Sequence, residues 1–416
     1  MESHRIVEQT AREAYGRLLS YLTVHWRNPQ DVEDALGDAF LSALEAWPKT
    51  GIPDKPEAWL VTIARRRLID RARRGRVSAE ALPTLLAMSE RAGHSSAPSG
   101  AELQDERLAM MLLCAHPAID PAMRTPLMLQ TVLGMDAARI ASAFIVKPAT
   151  MGQRLTRAKA KIRAERLTFE AADAEDAAEI AARLDSVLEA VYAAYGSGWG
   201  EEAGTGAPAG SLAGGGLSGE AIELGRLLLQ FVPGEAEVYG LLALMLHCEA
   251  RREARHDEAG EYVPLSEQDC AGWDRGLIAE AERFLHAAAH AGRIGRFQLM
   301  AAIQSVHAQR LRTGRTEWEA IAQLYEGLVS VRPTLGAYVS RAAAVAEAYG
   351  PDRGMVLLAS IPSGEVASYQ PYWALAGHLY ARLHRLDEAR SAYGRAIGLS
   401  ADEAVRRFLS RRLAEL

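Results

Sequence analysis

Apolar residues recur at helical spacing along most of this chain, and the sharpest instance lies between Ala138 and Arg166. There the pattern predicts a helix, a tight turn around Val146–Lys147, and a second helix opened by Pro148, a residue suited to a first helical position. Met151, Leu155, Ala158 and Ile162 form one stripe on that second helix. Thr150, Gln153, Arg154, Arg157 and Lys161 recur at the same spacing on another face. A packed stripe opposite a Thr/Gln/Arg/Lys stripe suits a recognition helix offered to DNA, and a solvated basic face is the competing account. Phe144-Ile145-Val146 occupies the turn where a glycine is common, so the backbone must close it another way.

The same reading divides the rest of the chain. Residues 1–76 form a helical unit with helices over Ile6–His25, Pro29–Trp47 and Glu57–Arg74, and a proline-rich loop Pro48–Pro56 before the third. Asp31 and Asp34 fall in the first turn of the second helix, where the dipole favours carboxylates. On the third, Leu60, Ile63, Ala64 and Leu68 form the buried stripe, leaving Arg65, Arg66, Arg73 and Arg74 facing out. Residues 77–104 lose the pattern and read as a linker. A second unit, 105–168, holds helices over Asp105–Ala115 and Pro121–Leu133, the latter interrupted by Pro126, and then the opening helix pair. An acidic run, Phe169–Arg183, leads into a C-terminal part spanning 169–416. Residues 196–219 contain ten glycines in 24 positions without a Gly-Lys-Ser/Thr ending, which predicts a flexible loop and no phosphate cradle. Further on, Trp373, Gly377, Tyr380, Ala389, Tyr393 and Ala396 fall at tetratricopeptide spacing, predicting a helical-hairpin array.

Composition narrows the class. With 416 residues and 49% hydrophobic content the chain supports two or three domains, and 6% aromatics with few β-branched clusters favours an all-α protein. The net charge is −6, yet Arg65–Arg76 and Lys147–Arg166 each carry seven basic residues against one acid. Two basic islands in an acidic chain point to localised contacts with a polyanion. Between Asn28 and Pro48 lie five acids and no Lys or Arg, which fits either a solvated face or docking on a basic surface. Cys114, Cys248 and Cys270 offer neither a disulfide framework nor metal-ligand spacing. Cys114 and His116 read as a core thiol and a capping imidazole, and the acidic loop His256–Asp269 as an exposed interaction loop without EF-hand spacing. No apolar run approaches the roughly 20 residues of a membrane span and no signal peptide is visible, so a cytoplasmic protein without metal, cofactor or catalytic group is expected.

The order of these pieces resembles the extracytoplasmic-function sigma factors of the sigma-70 family. DVEDALGDAFLSALEAWP followed by PEAWLVTIARRRLIDRARR looks like sigma region 2. DERLAMMLLCAHPAI through ARIASAFIVKPATMGQRLTRAKAKIRAERL looks like region 4, with its helix-turn-helix. The C-terminal half is similar to the tetratricopeptide-like extension of one subgroup, through EVYGLLALMLHCEARREAR, WDRGLIAEA, FQLMAAIQSVHA and the stretch from Trp373 onward. Where that subgroup has an Asn-Glu-Gly-Tyr-like signature, this chain has Ala194–Trp199, AYGSGW.

The resemblance implies two small helical sigma domains followed by a helical-repeat domain, with core RNA polymerase and promoter DNA as partners. It assigns polymerase docking to Asp31, Glu33, Asp34 and Asp38. It places Arg65, Arg66, Arg73 and Arg74 at the −10 element, Pro48–Pro56 where a flipped base is captured, and Trp59 as a core anchor rather than a wedge. Thr150, Gln153, Arg154 and Arg157 would then meet base edges or nearby phosphates of the −35 element, with Lys147, Lys159 and Lys161 on the backbone. The repeat domain would take a protein or peptide ligand. Two rivals stay open on the residues alone: a stand-alone helix-turn-helix regulator, and a repeat scaffold whose basic helices are ordinary solvated faces.

Overall fold

The computed structural model describes residues 2–26, 28–74, 100–144, 146–165, 167, 177–201 and 216–416. Among them every regular element is helical, and the only β-type pairing is an isolated bridge between His256 and Tyr262. The chain falls into two compact units, Met1–Leu228 and Leu229–Leu416.

In the first unit, α1 (Glu2–Trp26), α2 (Pro29–Thr50) and α3 (Pro56–Arg74) form a three-helix block. α2 starts where the sequence says it must. The Asn28 side chain accepts the Asp31 N–H, Pro29 occupies the first position, and Asp31 sits in the first turn. Its buried positions, Val32, Ala35, Leu36, Ala39, Ala43 and Trp47, keep helical spacing throughout. Pro48 does not end the helix as expected. It lies in the last turn, where a missing N–H costs one bond, and Gly51 at φ 85° terminates the helix by donating to the Trp47 carbonyl. The expected loop Pro48–Pro56 therefore shrinks to residues 51–55. The core of this block, with Leu18, Leu36, Trp47, Leu60 and Leu68, draws only on α1–α3.

The unit continues with α4 (Gly100–Cys114), α5 (Pro121–Thr131), α6 (Ala137–Ala143), α7 (Pro148–Ala164), α8 (Ala177–Glu201) and α9 (Gly216–Phe231), which runs past the unit boundary. α4 begins inside the stretch assigned to a linker, of which residues 77–99 lie outside the described residues. Pro126 does not interrupt α5, because it stands in the second turn of a helix already started by Asp120 and Pro121. The expected boundary at 168/169 is also displaced. α8 packs on α5, and the buried Arg183 donates to the Leu112 carbonyl at 3.0 Å, so the compact unit extends past it. The glycine-rich stretch 196–219 is not one loop. α8 runs to Glu201, α9 starts at Gly216, and residues 202–215 lie outside the described residues. A Cβ on Gly198 would stand 2.5 Å from the Ser218 nitrogen, so glycine here serves close packing of two helices.

The second unit holds α10 (Ala236–Glu249), α11 (Arg275–His290), α12 (Arg296–Ala308), α13 (Arg310–Thr313), α14 (Trp318–Val331), α15 (Leu335–Tyr349), α16 (Pro351–Ala359), α17 (Ser363–Val366), α18 (Gln370–Arg382), α19 (Leu386–Leu399) and α20 (Glu403–Ala414). Successive helices pack on one another. The Trp373-to-Ala396 spacing marks one such pair: a Cβ on Gly377 would stand 2.9 Å from the Tyr393 ring, and Ala389 and Ala396 are buried beside it. The acidic loop 256–269 is not free, because the last helix closes on it. Arg407 and Arg411 reach Glu261 at 2.6 and 3.5 Å, Arg412 reaches Glu267 at 3.1 Å, and Phe408 meets the Tyr262 ring edge-on at 5.6 Å. Arg310 nails the same loop down, donating to the carbonyls of Leu265, Ser266 and Gln268 and stacking over Trp273.

Candidate nucleic-acid interface

Burial of Leu60, Val61, Ala64 and Leu68 turns Arg66 and Arg67 of α3 to solvent. Arg67 was missed in the sequence reading, although it lies one position from the buried Leu68 and beside Arg66. Arg65 is not free. Its guanidinium donates to the Tyr21 hydroxyl and lies 5.2 Å from that ring's centroid, a cation–π contact. The side chains of Arg73 and Arg74 lie outside the described residues. Trp59 packs partly buried on the core, its ring 5.6 Å from that of Trp47 in an edge-on pair, which is the placement of an anchor.

The acids of α2 are matched within the unit. Asn28 donates to the Asp31 carboxylate, and Arg71 of α3 spans Asp34 at 3.2 Å and Asp38 at 2.9 Å. These pairs are substantially exposed and contribute little individually. Glu33 differs. Both of its oxygens accept from Lys159 of α7 at 2.7 Å, and the two side chains are only 17% and 7% exposed. Removing one partner of such a pair strands a buried charge, typically at a cost of about 3–5 kcal/mol. Nearby, Tyr15 lies between Phe40 of α2 and Gly134, and burial together with Glu33 and Asp34 pushes its hydroxyl pKa up to about 12.

α6 and α7 form the expected pair. Asp136 caps α6 by accepting from Ala138 and Arg139 at 2.9 and 2.8 Å. The turn closes without glycine, through the Phe144 and Val146 N–H groups bonded to the Ile140 and Ala141 carbonyls. Met151, Leu155, Ala158 and Ile162 are buried as the stripe predicts. Lys147, Gln153, Arg154, Arg157 and Lys161 are exposed, Thr150 half-buried, and the additional cation Arg163 is exposed on the same helix. Lys159 departs from the expectation. It is four residues after Leu155 and three before Ile162, so it falls on the packed side and turns to Glu33 rather than to solvent.

Cys114 and His116 take the roles read from sequence. The Cys114 thiol lies 3.4 Å from the Thr131 hydroxyl; burial pushes its pKa up to about 12 against the opposing pull of that hydrogen bond, and the His116 ring accepts the Ala118 N–H. Among the described residues no group of three His, Cys, Asp or Glu is placed to hold a metal ion, and no helix is long and apolar enough to cross a membrane.

Residues 6–77, which include most of α1–α3, match the family model described as sigma-70 region 2. Residues 183–289 match a family of unknown function, DUF6596. An uncharacterized protein of Rhizobium meliloti (strain 1021) is 36% identical over 409 residues, covering 97% of this chain and 93% of the relative. No solved structure matches the chain. Family match, helical architecture and the acidic and basic faces of the first unit agree: the N-terminal block of this chain is a sigma-70 region 2 domain, which supports a sigma-70 family sigma factor, and the whole chain belongs with the Rhizobium meliloti relative.

Proposed function

We propose that this protein is an extracytoplasmic-function sigma factor that directs core polymerase to promoters through two contacts, with a tetratricopeptide-like C-terminal domain in a regulatory or partner-binding role. The observation that carries the reading is the coincidence of a region 2 match with an acidic helix, an exposed Arg66–Arg67 pair, and a separate helix pair presenting Lys147, Gln153, Arg154, Arg157 and Lys161. Asp31, Asp34 and Asp38 dock on a basic surface of the polymerase, while Glu33 stays paired with Lys159. Arg66, Arg67, Arg73 and Arg74 engage and help open the −10 element, while Arg65 is held on Tyr21. α7 enters the major groove at the −35 element, with Thr150, Gln153, Arg154 and Arg157 toward base edges and Lys147 and Lys161 toward phosphates, while Lys159 stays on the packed side. The polymerase supplies the chemistry and most of the affinity, so binding by the isolated protein is weak and salt-sensitive. The open groove of about 660 Å³ beside α20 is lined by Arg406, Arg407 and Arg411 together with Glu261 and Glu403, a mixed-charge seat for a protein or peptide ligand.

Purified full-length protein mixed with core polymerase, under reducing conditions and moderate salt, tests the central claim. Co-elution, followed by initiation from a promoter that core polymerase alone ignores, is expected. Absence of co-elution would sink the sigma reading.

A further inference from the structure

One part of the second unit collects positive charge that its own carboxylates do not neutralise. There α12 packs on α10 and on α14, and α14 packs on α15. Arg251 follows the end of α10, Gln304 and His307 lie on α12, Tyr325 on α14 and Ser340 on α15, and each is half-buried. The Arg251 guanidinium donates to the Gln304 side-chain oxygen at 2.9 Å and lies 3.6 Å from the Cys248 sulfur. Arg310 directs its donors to three carbonyls and the Cys270 sulfur. Among the described residues neither guanidinium has a carboxylate partner. The acids at hand are committed elsewhere: Glu249 to Arg252, Glu282 to Ser305 and Glu326 to Arg341.

A half-buried guanidinium without a counter-ion is partly desolvated with nothing opposite it, which is unfavourable for the fold by itself. The Arg251 Nε adds to this, because it is shut off from solvent and has no hydrogen-bond partner. The groups around it are neutral donors. Burial and the charges of Arg251 and Arg310 lower the His307 pKa to about 4, so its imidazole is uncharged and offers one N–H. Burial raises the Tyr325 pKa against the pull of its hydrogen bond with Ser340, so that hydroxyl keeps its proton. Gln304 gives its oxygen to Arg251 and keeps its amide N–H groups to donate. One cation among neutral donors suits a planar monoanion. A guanidinium takes a carboxylate edge-on through parallel N–H bonds, and neutral N–H and O–H groups fill the remaining lone pairs. A phosphate dianion would call for a second cation within reach, and Arg310 is occupied by the loop.

We propose that this part of the second unit is a binding site for a carboxylate, with Arg251 as the charge partner and Gln304, His307 and the Tyr325–Ser340 pair as neutral donors. The carboxylate belongs to a small organic acid or to a peptide, and the chemistry at the site is the same for both. The site shares no lining residue with the groove beside α20, and it rests on neither the sigma reading nor the promoter contacts.

The test titrates full-length protein with benzoate and with a short peptide ending in Asp and a free C-terminus, reading binding by saturation-transfer NMR of the ligand. Benzamide, the fully amidated peptide ending in Asn, and inorganic phosphate serve as comparisons. At least one acid should bind about tenfold or more tightly than its amide, with phosphate no better than the amides. Benzoate binding alone assigns the site to a small organic acid, peptide binding alone to a peptide, and binding of both to the carboxylate itself. Arg251→Gln should weaken the acid by about tenfold or more, since the charge-assisted pair is lost. Should that variant fail to fold, Tyr325→Phe removes a single oxygen and should weaken the acid by about threefold or more. Acids that bind no better than their amides overturn the site, as does phosphate that matches them. So does a folded variant that binds the acid as well as the unmodified chain. Co-elution with core polymerase is read separately, so failure of the site leaves the sigma reading standing.

Discussion

Gly16 and Gly37 sit mid-helix in α1 and α2, and replacing each by alanine should move stability in opposite directions. Nothing lies within 4 Å of a Cβ at Gly37, so Gly37→Ala adds only helix propensity, a gain of about 0.5–1 kcal/mol. At Gly16 the added carbon would stand 2.0 Å from the Val132 carbonyl oxygen, 2.7 Å from its carbon and 3.2 Å from the Leu133 Cα. All three neighbours are backbone, so no rotamer change relieves the clash. α1 must move off the end of α5 by more than 1 Å, on the order of the gap to ordinary contact, which places the cost at the upper end of about 1–3 kcal/mol. Subtracting the same propensity gain leaves a net loss of about 2 kcal/mol. For a unit of this size each kcal/mol shifts the melting temperature by about 2–4 °C, so Gly16→Ala should melt about 4–8 °C lower and Gly37→Ala slightly higher. Calorimetry of the two variants beside the parent reads this directly. A Gly16→Ala protein that melts at or above the parent would refute the close junction between α1 and the end of α5.

The pH response of the second unit should trace to two imidazoles, the buried His247 and the half-buried His307, each with its pKa lowered to about 4 by burial and then by Arg251. For each, the folded state refuses a proton that the unfolded chain accepts below about pH 6.5, so stability is full above that value and falls toward pH 4, by about 2 kcal/mol at pH 5 per imidazole. Melting at pH 7 and 5 should show the drop in the parent and a smaller one in His247→Leu. Arg310→Ala removes three carbonyl partners and a Trp273 stack, so about 3 kcal/mol of stability should go, and limited proteolysis should cut within 264–273 first. Arg310→Lys should rescue little, since an ammonium cannot reproduce the planar fork. On the DNA side, Arg157→Ala should weaken promoter binding by the polymerase complex about tenfold or more, with a shallower salt dependence; equal affinity would remove Arg157 from the interface.

Much of the first unit was readable because local rules agree with the tertiary structure. Asn28-Pro29 starts α2, the Leu60–Leu68 stripe orients α3, and Asp136 starts α6, each by a cap or a period that needs no distant partner. Prolines and glycines misled where tertiary packing outweighed the local preference. Pro48 and Pro126 stay inside helices, and Gly196 and Gly198 belong to α8, held against α9. Lys159 was misplaced because its charge was weighed above its angular position beside Leu155 and Ile162. Pairs such as Arg183 with the Leu112 carbonyl and Arg407 with Glu261 join residues far apart in the chain, and no spacing rule connects them.

The return of α20 to the loop after α10 changes what kind of polymer the second unit is. An open stack of hairpins is quasi-one-dimensional: each repeat answers only to its neighbours, and the final helix frays at little expense to the rest. Here the contacts from Arg407, Arg411, Arg412 and Phe408 to Glu261, Glu267 and Tyr262 join the last helix to the first loop and make a circuit of the chain. Fraying at the C-terminus then releases residues at the N-terminal end of the same unit. The unit should melt in one cooperative step, and anything that grasps α20 from outside acts at once on the loop some 140 residues upstream.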